Sequence, residues 1–235
     1  MKRLIPAILV SLMFSATAFA LSSRIDFTIE QKKTGNVVYS GYEDIVEKDG
    51  KVEKKAYYKD PKGNVVQTEF FSYDSKTLQI LDYEYINKLT NESTILKSTG
   101  KDVAISYRGK QEKDYKKGKI TWTDTTYHGK TFNQLILKHW DSIVSGKDFE
   151  FDLFLPFRFE TIPFALVLKE KTEKGERYVF AVEAQNFIVR QFAPTLEATY
   201  YDKPKRQISS FYGPTTLPIN GETGEMVVVK FEFKE

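Results

Sequence analysis

Residues 24–31 read Arg-Ile-Asp-Phe-Thr-Ile-Glu-Gln, an alternation that puts Ile25, Phe27 and Ile29 on one face and Asp26, Thr28 and Glu30 on the other. A period of two is the mark of a strand buried on one side. The same rhythm runs onward from it. Lys33-Thr34-Gly35-Asn36 reads as a turn and Val37–Val46 as the returning strand. Lys48-Asp49-Gly50-Lys51 is a second turn, built on an Asp-Gly pair. Lys59-Asp60-Pro61-Lys62-Gly63-Asn64 is a third, with proline early and glycine late. Further turns at Tyr73–Lys76, Leu89–Glu92 and Ser98–Lys101 separate Val65–Phe71, Thr77–Ile86, Ser93–Lys97 and Val103–Tyr107. Short strands punctuated in this way predict an antiparallel meander.

One segment departs from the period of two. After a predicted strand at Ile120–Tyr127, apolar residues fall at Phe132, Leu135, Ile136, Trp140, Ile143 and Val144, with His139 on the same stripe. That spacing is helical. Thr131 is the expected N-cap and Gly146 the expected stop, so the one long helix is placed at about residues 131–145. Strands then resume. Phe149, Phe151, Leu153 and Leu155 share one face, and Asp148, Glu150 and Asp152 the other. Pro156 and Pro163 bracket a segment expected to bend or to lie at an edge. Hairpins are expected at Phe164–Ala184 and Glu197–Tyr212, and a last strand at Met226–Phe233. The segment from Gly213 to Gly224 reads as a loop within one domain. The predicted fold is therefore mainly β: a single large curved antiparallel meander, a half-barrel or open barrel, with one amphipathic helix packed on its concave face.

The first twenty residues are set apart. Lys2 and Arg3 precede an apolar run from Leu4 to Phe14, and Ala18-Phe19-Ala20 follows. That is the layout of a secretory signal peptide, with cleavage expected after Ala20 and residues 21–235 forming one β-rich domain. The segment's two basic residues account for the step from a formal charge of +3 to +1 in the 215-residue remainder. A near-neutral surface argues against nucleic acid as a partner. The chain has no cysteine, so it carries no N-terminal lipid and no disulfide, which suits the periplasm. No second apolar run reaches the ~20 residues that a membrane-spanning helix needs.

Catalytic signatures are not evident. There is no Gly-x-Ser-x-Gly elbow, no phosphate-binding glycine loop and no cysteine nucleophile. The only histidines, His128 and His139, are eleven positions apart. With Glu150 or Asp152 they would make a metal site only if the fold gathered them. The simpler reading is one surface histidine and one histidine on the helix, with no metal and no cofactor. The carboxylates of Asp148, Glu150 and Asp152 read as the solvated side of a strand. Asn91-Glu92-Ser93 matches a glycosylation sequon that a bacterial periplasm would leave unused.

The aromatic load carries more. Eighteen Phe, fourteen Tyr and two Trp include a dense run from Phe132 to Phe164. These side chains either fill a core or line a cavity for an apolar ligand. In the second case the lining residues are expected to be Phe132, Ile136 and Trp140 of the helix and Phe149, Phe151, Leu153 and Leu155 of the next strand.

An exported, cysteine-free meander with a prominent mid-chain helix resembles the periplasmic lipoprotein-carrier superfamily, the LolA/LolB-like curved half-barrels. It is also similar to periplasmic proteins of unknown function built on related sheets. The resemblance spans residues 24–233 and is one of architecture. It implies a concave apolar surface for a lipid or acyl chain, with the helix as lid. Those carriers use more than one helix, whereas one is evident here. Two other readings stand beside it: an outer-membrane β-barrel, and a periplasmic hydrolase with a dispersed site. The barrel would have to place charged stretches such as Glu47–Lys55 and Lys110–Lys119 in loops.

Overall fold

The computed structural model describes residues 21–172, 174–186, 195–202 and 204–234. The expected signal peptide and its cleavage point after Ala20 lie outside the described residues. The first eight strands are β1 (Leu21–Gln31), β2 (Val37–Lys48), β3 (Lys51–Lys59), β4 (Val65–Asp74), β5 (Ile80–Asn87), β6 (Ser93–Thr99), β7 (Asp102–Arg108) and β8 (Lys116–Thr121). A short β9 (Thr126–His128) leads through a 3-10 turn at Gly129–Thr131 into helix α1 (Phe132–Val144). The remaining strands are β10 (Phe149–Leu155), β11 (Glu160–Lys171), β12 (Arg177–Ala184), β13 (Leu196–Tyr201), β14 (Gln207–Pro214) and β15 (Met226–Lys234).

All fifteen strands belong to one sheet in the order 8-7-6-5-4-3-2-1-15-14-13-12-11-10-9. The chain starts in the middle, with β1 between β2 and β15, and meanders outward to the edge strand β8. It then jumps to the opposite edge, β9, and meanders back. Every pairing is antiparallel except β9 with β10. That exception has a local cause: α1 connects those two strands, and parallel neighbours need such a crossover. The connection also sets the helix on the concave face.

The jump between edges fixes the curvature. Fifteen strands laid flat at ~4.8 Å spacing would extend about 67 Å. Only residues 122–125 separate β8 from β9, a reach of at most ~18 Å. The sheet therefore curls until its edges face one another. Trp122 meets Phe154 with ring centroids 6.0 Å apart, Tyr107 meets Phe157 at 6.5 Å, and Phe159 lies over Gly118. The edges stay unpaired, so the sheet is a curved but open one. The predicted strand at Ile120–Tyr127 is corrected here. It is two strands at opposite edges, broken at Trp122–Thr125, because the chain must turn the corner at that point.

The helix matches its expected span. Phe132, Leu135, Ile136, Trp140 and Ile143 are buried along one stripe. Each contributes roughly 1.5–3 kcal/mol by leaving water, which holds a helix of this length better than propensity does. Its two ends differ. Gly146, at φ +90°, takes the left-handed conformation past the last turn, where Gly146 N–H donates to the Ile143 carbonyl and Lys147 N–H to that of Ser142. This is the paired closure of a glycine-stopped helix. At the start, the Thr131 hydroxyl does not cap a helical N–H. It donates to the His128 carbonyl at 2.8 Å, while His128 caps the preceding turn.

The segment bracketed by Pro156 and Pro163 bends as expected, through a 3-10 turn at Pro156–Arg158 with Phe159 at φ +58°, and Pro163 itself lies not at an edge but inside β11, opposite Asp152. Its carbonyl accepts from Gln185, just past the end of β12. The missing N–H thus falls where the β12 ladder has stopped. No helix among the described residues is long and apolar enough to cross a membrane.

Candidate functional site

Two separate clusters of buried side chains lie inside the curve. The larger joins α1 to β3–β7 and β9–β13. The smaller consists of Phe27, Ile29, Tyr39, Val66, Leu217, Ile219 and Val227. Between them is a cavity of about 420 Å³ lined by residues of both. That size falls in the ~300–1,000 Å³ range of small-molecule sites.

Its walls differ in chemistry. The apolar wall is built by strand alternation: β1 presents Ile25, Phe27 and Ile29, and β15 presents Val227, Val229 and Phe231. These strands pair in register, with Phe27 opposite Phe231 and Ile29 opposite Val229, so the inward residues form a continuous surface. Phe132 and Ile136 add the near face of the helix. Residues 215–225 form a strap across this end. Leu217 and Ile219 are buried, Tyr39 Oη donates to the Pro218 carbonyl at 2.5 Å, and Asn87 Nδ2 donates to the Thr216 carbonyl at 3.0 Å.

The opposite wall is polar. Lys54 Nζ donates to Glu43 Oε1 at 2.9 Å. Lys130 is ion-paired to Glu69, whose other oxygen accepts from Gln67 Nε2 at 2.9 Å. The Glu69 side chain is only 6% exposed, whereas Lys130 keeps 35% of its side chain open. Its ammonium reaches Tyr58 Oη at 3.4 Å. Burial alone would lower the Lys130 pKa, but the Glu69 carboxylate, with Tyr58 and Tyr83, outweighs it and raises it well above the ordinary value. The lysine is therefore a fixed cation. Burial raises the Tyr58 and Tyr83 phenols and takes Tyr85 up to about 12, so all three are neutral donors.

His128 sits where β9 meets the helix. It is 7% exposed, so the expected surface position is corrected: its ring packs against Phe71, Tyr83 and Phe154. Burial, with a smaller contribution from Lys130, lowers its pKa to about 3, and the imidazole is neutral. His139 instead stacks on Phe149, ring centroids 3.7 Å apart. Asp152 Oδ2 accepts from Thr125 at 2.7 Å. Among the described residues, no three His, Asp or Glu side chains are grouped to hold a metal ion.

Of the residues expected to line a cavity, the structure brings Phe132 and Ile136 to it. Trp140 is 2% exposed and wedged among Tyr178, Phe180 and Tyr200. Phe151 packs between Tyr127, Phe132 and Phe164. Phe149, Leu153 and Leu155 belong to or pack against the same large cluster, and none of these five lines the cavity. Sequence reasoning passed over Lys54, Glu69, Tyr83 and Lys130. The signal for two of them is phase: Lys54 alternates with Val52 and Ala56, and Glu69 with Phe71 and Tyr73, charges on a face otherwise buried.

Comparison with protein-family models, with curated proteins and with solved structures returns no match.

Proposed function

We propose that this chain is a non-catalytic periplasmic protein that binds an apolar ligand, a lipid or acyl chain, between the curved sheet and the helix. The observation that carries this reading is the cavity between the two core clusters, with its unbroken apolar wall of β1 and β15 residues. A filled core would have merged the clusters, since protein interiors pack without voids of this size. Helix α1 on the concave face is in keeping with the likeness to lipoprotein carriers. The outer-membrane barrel is disfavoured by the free edges β8 and β9, because a spanning barrel must close every edge.

The test is native mass spectrometry, with lipid extraction, of protein purified from the periplasm, together with titration of a fluorescent fatty-acyl probe. A co-purified lipid and saturable probe binding are expected. A protein that carries no lipid and binds no probe would sink the reading.

A further inference from the structure

The polar wall is more specific than a cavity for any oily molecule requires. Nδ1 of His128 accepts the Lys130 backbone N–H at 3.2 Å. In a neutral imidazole the proton must then be on Nε2, as a donor. That Nε2–H and the hydroxyl of Tyr83 have no hydrogen-bond partner among the described residues, and neither is among the fully buried unpaired atoms, which are Gln134 Oε1 and His139 Nε2, so both are reached from the cavity that their residues line. Their rings lie together, centroids 5.1 Å apart. Lys130 has three N–H donors, and Glu69 and Tyr58 occupy two. Donors that open on a cavity are satisfied by water until a ligand displaces it, and a ligand with no acceptor there forfeits about one hydrogen bond at each. Three such donors on one wall of the cavity fit a ligand that brings an acceptor of its own.

We propose that His128, Tyr83 and Lys130 form a donor triad that receives the acyl oxygen of the ligand, a carboxyl or ester carbonyl, while the chain lies along the β1–β15 wall. This rests on the apolar-ligand reading and specifies which end of the ligand faces which wall. A cationic head would meet donors with nothing to accept from them. A neutral carbonyl and a carboxylate share the required acceptor chemistry. Glu69 already balances the charge of Lys130, so the site does not demand an anion.

Displacement of the fluorescent probe by three ligands of equal chain length tests this: dodecanoic acid, methyl dodecanoate and dodecyltrimethylammonium. The acid, the ester or both should bind at least about fivefold more tightly than the quaternary ammonium, the worth of one net hydrogen bond. Tyr83→Phe removes only the hydroxyl. It should weaken the oxygen-bearing ligands by about fivefold and leave the quaternary ammonium unchanged. His128→Asn keeps an acceptor for Lys130 N–H and deletes the Nε2 donor, so it should act in the same direction. A stronger acid than ester marks a free fatty acid as the natural head, and the reverse marks an esterified acyl group. Equal affinity for all three ligands, or a Tyr83→Phe protein that binds each as the wild type does, overturns the triad and leaves the cavity reading standing. A wild type that binds none of them, nor the probe, sinks both.

Discussion

The imidazole Nδ1 of His128 accepts the backbone N–H of Lys130 at 3.2 Å, so one bond fixes both the tautomer of the histidine and the turn that leads into helix α1. Stability should depend on pH through this residue. The unfolded chain protonates His128 near 6.5, whereas the folded one resists until about 3. Between those values the unfolded state binds more protons, so stability rises with pH. The contribution is complete above about pH 6.5 and is lost as pH falls toward 3, on the order of 4 kcal/mol by the bottom of the window. His139, also lowered by burial, acts in the same direction. Denaturant midpoints measured across this range should show a shallower acid-side slope in His128→Asn. An unchanged slope would refute the assignment.

Lys130→Met should destabilise the fold by leaving the Glu69 carboxylate without its cation. Removing one partner of a buried pair costs ~3–5 kcal/mol, and the lower end is expected because a third of the Lys130 side chain is exposed. Adding Glu69→Gln should recover part of the loss. Urea unfolding of the two single variants and the double variant gives the coupling directly.

Trp140 and Ala198 separate core from cavity. Trp140→Ala empties a packed aromatic site behind the cavity lining, not part of it, and should cost about 3–5 kcal/mol while probe binding persists in the folded fraction. Ala198 lines the cavity. Ala198→Leu should leave stability unchanged or raise it by ~0.5–2 kcal/mol and abolish probe binding. If both variants behaved alike in the two assays, the division between packed core and open cavity would be wrong.

Gly41 is required by close approach. A Cβ there would stand 2.2 Å from the Tyr57 carbonyl oxygen and 2.5 Å from the Phe27 ring. Gly41→Ala should cost at least ~1–3 kcal/mol. A second change, Phe27→Leu, should not restore it, since the Tyr57 backbone cannot move aside as a side chain can. Thermal or urea midpoints of the single and double variants decide this.

Local periodicity by itself determined the elements. The alternation at Arg24–Gln31, the Asp-Gly turn at Asp49-Gly50 and the helical stripe from Phe132 to Ile143 became β1, the β2–β3 turn and α1, because each depends on neighbours within a few residues. The meander and the helix on its concave face follow from the same signals. Only the tertiary structure decided the rest. Ile120–Tyr127 split into β8 and β9 because two sheet edges, distant in pairing order, had to meet. His128 went inside because the curled sheet closes over it. Period two says that Lys54 and Glu69 point inward, but their partners, Glu43 and Lys130, come from other elements. Whether the aromatic residues fill space or enclose it depends on how far the sheet bends, a property of all fifteen strands together that no short run of residues encodes.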